Sequence, residues 1–211
     1  MISFITSDDG ATSDNYNLYR TFNISYTSEL VTEQAIKCNL DSEIITNPRN
    51  VFVMSHGDHS ILYDNNRQSA FTESTLQSLS DFNVFAYACN TANQLGVDAA
   101  KNGVNWCGFK EPINSPCTDE VLAPIYAELF EFIASEFVSV RCMETAEQYL
   151  DMLKNLCDLK ASDLDACTND EYETPIAAYQ SVKQLWEKQK IWLSNQNNFV
   201  IHKNAPSELL W

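Results

Sequence analysis

An α/β fold is what this sequence of 211 residues predicts: a mostly parallel central sheet flanked by helices, with a C-terminal half that is mainly helical. Three observations predict it. Short apolar runs alternate with helix-like segments in the first half, as in a parallel sheet covered by crossover helices. Several runs lack polar alternation, which marks strands buried on both faces. After about residue 118 the apolar residues keep a helical period instead. Residues 1–211 read as one domain, with 1–117 forming the sheet and 118–211 the helical part that completes it.

The first strand is expected at 2–6 (ISFIT), followed by the polar stretch SDDGATSDN, which reads as a loop. Apolar residues at helical spacing put crossover helices at 28–40, 72–79 and 91–101. Between them VFVMS (51–55), VFAYA (84–88) and VNWCGF (104–109) read as buried strands. Right-handed crossovers would then align the strands' carboxyl ends along one edge, where open α/β sheets place their sites. From the cap candidate Thr118, the residues Val121, Leu122, Ile125, Tyr126, Leu129, Ile133 and Phe137 trace one face of a long helix. Met143, Ala146, Leu150, Leu153 and Cys157 make a second stripe. A third helix is expected from Pro175, suited to a first turn, to Leu193, with a short strand at 199–202.

The formal charge of -16, from 29 acidic against 13 basic residues, repels phosphate backbones and anionic lipid, so neither nucleic acid nor a membrane surface is an expected partner. A basic peptide suits such a surface better, although the charge also serves solubility alone. The seven cysteines form no short-spaced pair of the zinc-binding kind and are odd in number, so no disulfide framework, metal or other cofactor is expected. The N-terminal residues lack a basic leader, and no stretch approaches bilayer length, which predicts a reducing, cytoplasmic setting.

Two of the buried strands run into chemically capable residues, His56 after VFVMS and Cys89 after VFAYA, 33 residues apart. On neighbouring strands both side chains would emerge at the same sheet edge and share one reacting carbonyl. Gly57 lets a substrate backbone approach and leaves its amide unobstructed. With the Cys89 amide it would form an oxyanion hole, and a helix starting at Cys89 would favour the thiolate.

These residues resemble the paired motifs of the caspase-like cysteine peptidases, whose members include caspases, metacaspases, gingipains, separase and bacterial CHAT domains. The strands ending Ser55-His56-Gly57 and Ala88-Cys89, with VNWCGF following, are most similar to the CHAT group. The resemblance covers about residues 1–140. It implies a caspase-like three-layer fold and a cysteine endopeptidase in which Cys89 forms a thioester and His56 protonates the leaving amine. It also implies a regulatory protein partner in a bacterial defence or cell-death system. The chain departs from the caspase pattern in reading Tyr87-Ala88-Cys89-Asn90-Thr91, so neither aspartate nor basic specificity carries over.

In this fold the loop after the first strand helps shape the specificity pocket, and here it carries Asp8, Asp9 and Asp14. A carboxylate there would select lysine or arginine, and Glu111 after VNWCGF is a second candidate. The competing reading is that these aspartates cap turns or face water. Among the other candidates, Cys107 and Cys157 read as core, Cys117 as an exposed loop thiol, His59 as a substitute base lacking the adjacent glycine, and His202 as exposed. Trp186, Trp192, Leu209, Leu210 and Trp211 either complete the core or form a docking surface. The alternative to a protease is therefore a catalytically inactive caspase-like protein-interaction module. A thiol-dependent acyl transferase is a weaker third, and the single glycine of SDDGATSDN argues against nucleotide binding.

Overall fold

In a computed structural model, described for residues 1–46, 49–114, 122–166 and 174–206, a seven-stranded sheet is sandwiched between two helical layers. Strands β1 (Ile2–Ile5), β2 (Ser28–Val31), β3 (Asn50–Met54), β6 (Asn83–Tyr87) and β7 (Asn105–Phe109) are parallel, and β8 (Gln189–Trp192) and β9 (Phe199–Val200) join antiparallel. The order β2-β1-β3-β6-β7-β8-β9 leaves β1 with one crossover to either side, so the topological switch lies between β1 and β3. Strands β4 (Gly57–Asp58) and β5 (Ile61–Leu62) form a small separate hairpin directly after β3.

Strand side chains divide by parity. Phe52, Met54, Phe85 and Tyr87 enter one core with helices α1 (Gly10–Tyr19), α5 (Leu122–Glu136), α6 (Met143–Ala166) and α7 (Thr174–Glu187). Val51, Val53, Val84 and Ala86 enter a second core with α2 (Lys37–Ile45), α3 (Glu73–Ser78) and α4 (Gln94–Lys101). Burial on both faces explains the unbroken apolar runs, since every second residue meets a different helical layer.

Four elements differ from the sequence expectation. SDDGATSDN is not a loop: Asp9 caps α1 in a capping box with Thr12, and the helix buries Thr12, Asn15, Leu18 and Tyr19. The 28–40 segment opens as edge strand β2 before α2, because pairing with β1 outweighs its helical period. The helix expected from Thr91 begins at Gln94; Asn90 adopts φ 59° and Ala92 donates to Phe109 O, which holds residues 89–93 as a turn. The last helix stops at Glu187 and the chain re-enters the sheet as β8, so the C-terminal half supplies two strands besides its helices. Trp192 of β8 donates to Ala92 O at 2.6 Å and packs on Gly96. Thr118, Val121, Cys117 and Leu209 to Trp211 lie outside the described residues.

Trp186 and Trp192 are buried, at 3% and 8% exposure, so they form core and not a docking surface. His202 is likewise buried rather than exposed, bonded through Nε2 to Asp151 at 2.9 Å and stacked edge-on against Trp186. Burial pushes its pKa below the ordinary 6.5, against the opposing Asp151 carboxylate. The unfolded chain therefore takes up a proton that the folded chain resists, so this contribution is complete above the unfolded pKa and is lost as pH falls through the folded one. We expect urea stability to decline below about pH 6.5, and to decline less in His202→Gln. Equal pH slopes in both proteins would refute this source.

Candidate functional site

The register between β3 and β6 decides the geometry. Asn50 pairs with Asn83 and Met54 with Tyr87, an offset of 33 residues, and Ser55 N continues the ladder by donating to Tyr87 O at 3.2 Å. His56 and Cys89 have the same offset, so they leave adjacent strands at equivalent steps. Both follow the parity of Met54 and Tyr87, which directs them to the α1 face. There they line one small cavity with Ala11, Thr12, Asn15, Ser55, Tyr87, Ile113 and Asn114.

His56 is held by the first strand's connection. Its Nε2 lies 2.7 Å from Asp9 Oδ2, while Asp9 Oδ1 accepts from Thr12 N at 3.1 Å as the helix cap. Burial works to raise the Asp9 pKa, yet the bonds from Thr12 and His56 and the imidazole charge hold it well below the usual carboxylate range. An ionised carboxylate only accepts, so Nε2 is the nitrogen that donates to Asp9, and Nδ1 is the ring nitrogen that Asp9 does not engage. Arg67, at φ 60° in the turn after β5, donates through its NH2 group to Asp9 Oδ2 at 2.8 Å and through Nε to Asp8.

Asp8 and Asp9 are thus committed to Arg67, His56 and the helix cap. Asp14 lies within α1 away from the cavity lining, and Glu111 is exposed, 3.9 Å from Lys110 Nζ. Asp8, Asp9 and His56 also present ligand atoms within 4.8 Å of one another, a spacing compatible with a cation, but the Arg67 guanidinium already supplies positive charge there.

Gly57 opposes Leu62 in the hairpin, and Tyr63 N donates to His56 O at 3.0 Å. That bond makes Gly57 a non-hydrogen-bonded position, so its N–H is directed away from β5. A Cβ at Gly57 would lie 2.5 Å from Thr91 Cγ2, 2.7 Å from Cys89 O and 2.9 Å from Ala88 Cβ. The two amides expected to form an oxyanion hole therefore belong to backbones in direct contact. Contrary to the sequence expectation, no helix starts at Cys89: the residue sits in the turn five residues ahead of Gln94, where α4 begins. Its dipole falls off within the first turn and does not reach that far.

The thiol is engaged by a segment that sequence reading missed. Ile113 N donates to Cys89 Sγ at 3.4 Å, and Sγ lies 3.7 Å from Ile113 O as donor. Nothing in the local pattern KEPIN signals this, because the contact depends on how the chain leaves β7. Of the remaining candidates, Cys107 and Cys157 are buried, and that burial pushes both thiols up. His59 is exposed and contributes a backbone carbonyl to Leu95 N. Among the described residues no helix is long and apolar enough to cross a membrane. Comparison with protein-family models, with curated proteins and with solved structures finds no match to this chain.

Proposed function

We propose that the chain is a cysteine endopeptidase of caspase-like type, acting through His56 and Cys89 on a peptide bond in a protein substrate. The observation that carries this reading is the shared 33-residue offset, which puts an imidazole and a thiol at equivalent ends of adjacent strands and into one cavity. Asp9 supports it by orienting the imidazole, a third group behind the nucleophile and base.

In this mechanism His56 Nδ1 takes the thiol proton and Cys89 Sγ attacks the scissile carbonyl carbon. The Gly57 and Cys89 amides donate to the oxygen as it becomes negative. Collapse breaks the C–N bond, and His56 returns the proton to the leaving amine. Water then attacks the thioester with His56 as base, releasing the acid and restoring the thiol. Asp9 acts through His56 and is a positioning residue. The negative surface favours basic stretches of substrate, and a defence or cell-death setting with a regulatory partner follows from the CHAT resemblance alone.

A peptide bearing an electrophilic acyloxymethyl ketone tests the reading. In the Lys188→Ala protein, which loses an anchor of the segment lying over the thiol, intact-mass and peptide mapping should find one adduct at Cys89 that disappears on adding His56→Ala, while the exposed thiols Cys38 and Cys142 stay largely unlabelled. Labelling at Cys38 or Cys142 in preference to Cys89, with and without the substitution, counts against a peptidase. The second reading, a binding module without catalysis, is favoured by the thiol's bonds to Ile113. It requires that Cys89→Ala retain full biological activity.

A further inference from the structure

The cavity shared by His56 and Cys89 has a volume of only about 50 Å³. That holds a few waters, whereas sites that take a side chain or small ligand run to about 300 Å³ or more. Ile113 and Asn114, from the segment 110–114 that leaves β7 and crosses the thiol, form part of the cavity wall.

This segment is fastened on both flanks of Cys89. Asn93 Nδ2 donates to Lys110 O at 3.0 Å, and Lys188 Nζ donates to Pro112 O at 2.6 Å. The Tyr87 hydroxyl, at the end of the nucleophile's own strand, donates to Asn114 O at 2.6 Å. Gln184 of α7 holds the backbone of the same residue, its Oε1 accepting from Asn114 N at 2.9 Å and its Nε2 donating to Asn114 O at 3.3 Å. Between these anchors the Ile113 backbone occupies both the donor and the acceptor capacity of Sγ. A peptide carbonyl approaching Cys89 would have to displace it.

We propose that residues 110–114 are an autoinhibitory strap, closed over the nucleophile in the resting protein and released when its grip on α7 and Lys188 is broken. This rests on the peptidase reading for its biological meaning, but the strap itself is a statement about access to a thiol. The anchors fall into two groups. Tyr87 belongs to the site wall and Asn93 to the turn behind it, whereas Gln184 and Lys188 come from the C-terminal helix and its exit. Movement of α7 relative to β7 therefore lifts the strap without disturbing the strands that carry His56 and Cys89. Gln184 is buried and bonds Asn114 through both ends of its amide, so release of the strap must leave that amide to find other partners.

Iodoacetamide tests closure without requiring any peptidase activity. Its alkylation rate at Cys89, followed by peptide mass mapping on the full chain, reads the fraction of time the strap is open. Lys188→Ala removes an exposed anchor and should speed alkylation about fivefold; Gln184→Ala removes both bonds to Asn114 and should speed it at least tenfold. Cys38 and Cys142 should react at unchanged rates, and the buried Cys107 and Cys157 should stay unlabelled, which shows that the fold is intact. If Gln184→Ala labels Cys107 and Cys157 as well, it has unfolded, and Lys188→Ala alone decides. An unchanged Cys89 rate in the folded variants overturns the strap. Accelerated alkylation in a variant that still neither cleaves peptides nor accepts the ketone probe would keep the strap and sink the peptidase.

Discussion

Alanine at Cys89, alanine at His56 and alanine at both are expected to lower peptide hydrolysis to the same residual level, about 10³-fold or more below the parent in kcat/KM. Measured in the Lys188→Ala background, where the strap is loosened, the comparison isolates chemistry from access. Residues that act as one unit are strongly non-additive, because either loss removes the same thiolate attack. Additive losses would mean that His56 and Cys89 contribute independently and are not a dyad. Asp9→Asn should cost about 10²-fold, the low end of what positioned acid–base catalysis contributes, and mostly in kcat. It keeps the helix cap's oxygen but no longer holds the imidazole with a full negative charge. Asp14→Asn, in the same helix and outside the cavity, should keep the parent rate.

Gly57→Ala should damage both stability and turnover. Its Cβ meets a buried Thr91 methyl at 2.5 Å, the Cys89 carbonyl at 2.7 Å and Ala88 Cβ at 2.9 Å, none of which is the free end of a flexible side chain. The hairpin must move away from the turn after β6. Overpacking of this kind costs about 2 kcal/mol, which lowers Tm by roughly 4–8 °C in a domain of this size. The shift also parts the two expected oxyanion amides, and a displacement of about 1 Å costs roughly 10²-fold in rate. Gly10→Ala is the control, since a Cβ there meets nothing within 4 Å and alanine suits a helix. A Gly57→Ala protein with parent Tm and parent turnover would show that the close approach is not required.

Much of the architecture was legible in the residues. VFVMS, VFAYA and VNWCGF are strands within a residue of the expected bounds, because burial on both faces leaves no polar alternation to confuse the reading. The polar SDDGATSDN hid a helix whose signals were local, the Asp9 and Thr12 capping box and the pair Leu18 and Tyr19, in a stretch too hydrophilic to show an apolar period. The end of the last helix was harder still. Gln189–Trp192 continues a helical pattern and becomes strand only because β7 offers an open edge, a tertiary pairing that outweighs local propensity.

The sequence by itself determined that a histidine and a cysteine follow two buried strands 33 residues apart, and that a glycine accompanies the histidine. Only the tertiary structure decided that the strands are neighbours in a register of the same offset, that Asp9 and Arg67 close on the imidazole, and that Ile113 lies on the thiol. The physical reason is range. Strand burial and chemical type are written residue by residue, whereas register, ion pairing across 58 positions and the path of a strap depend on which surfaces the packed sheet brings together.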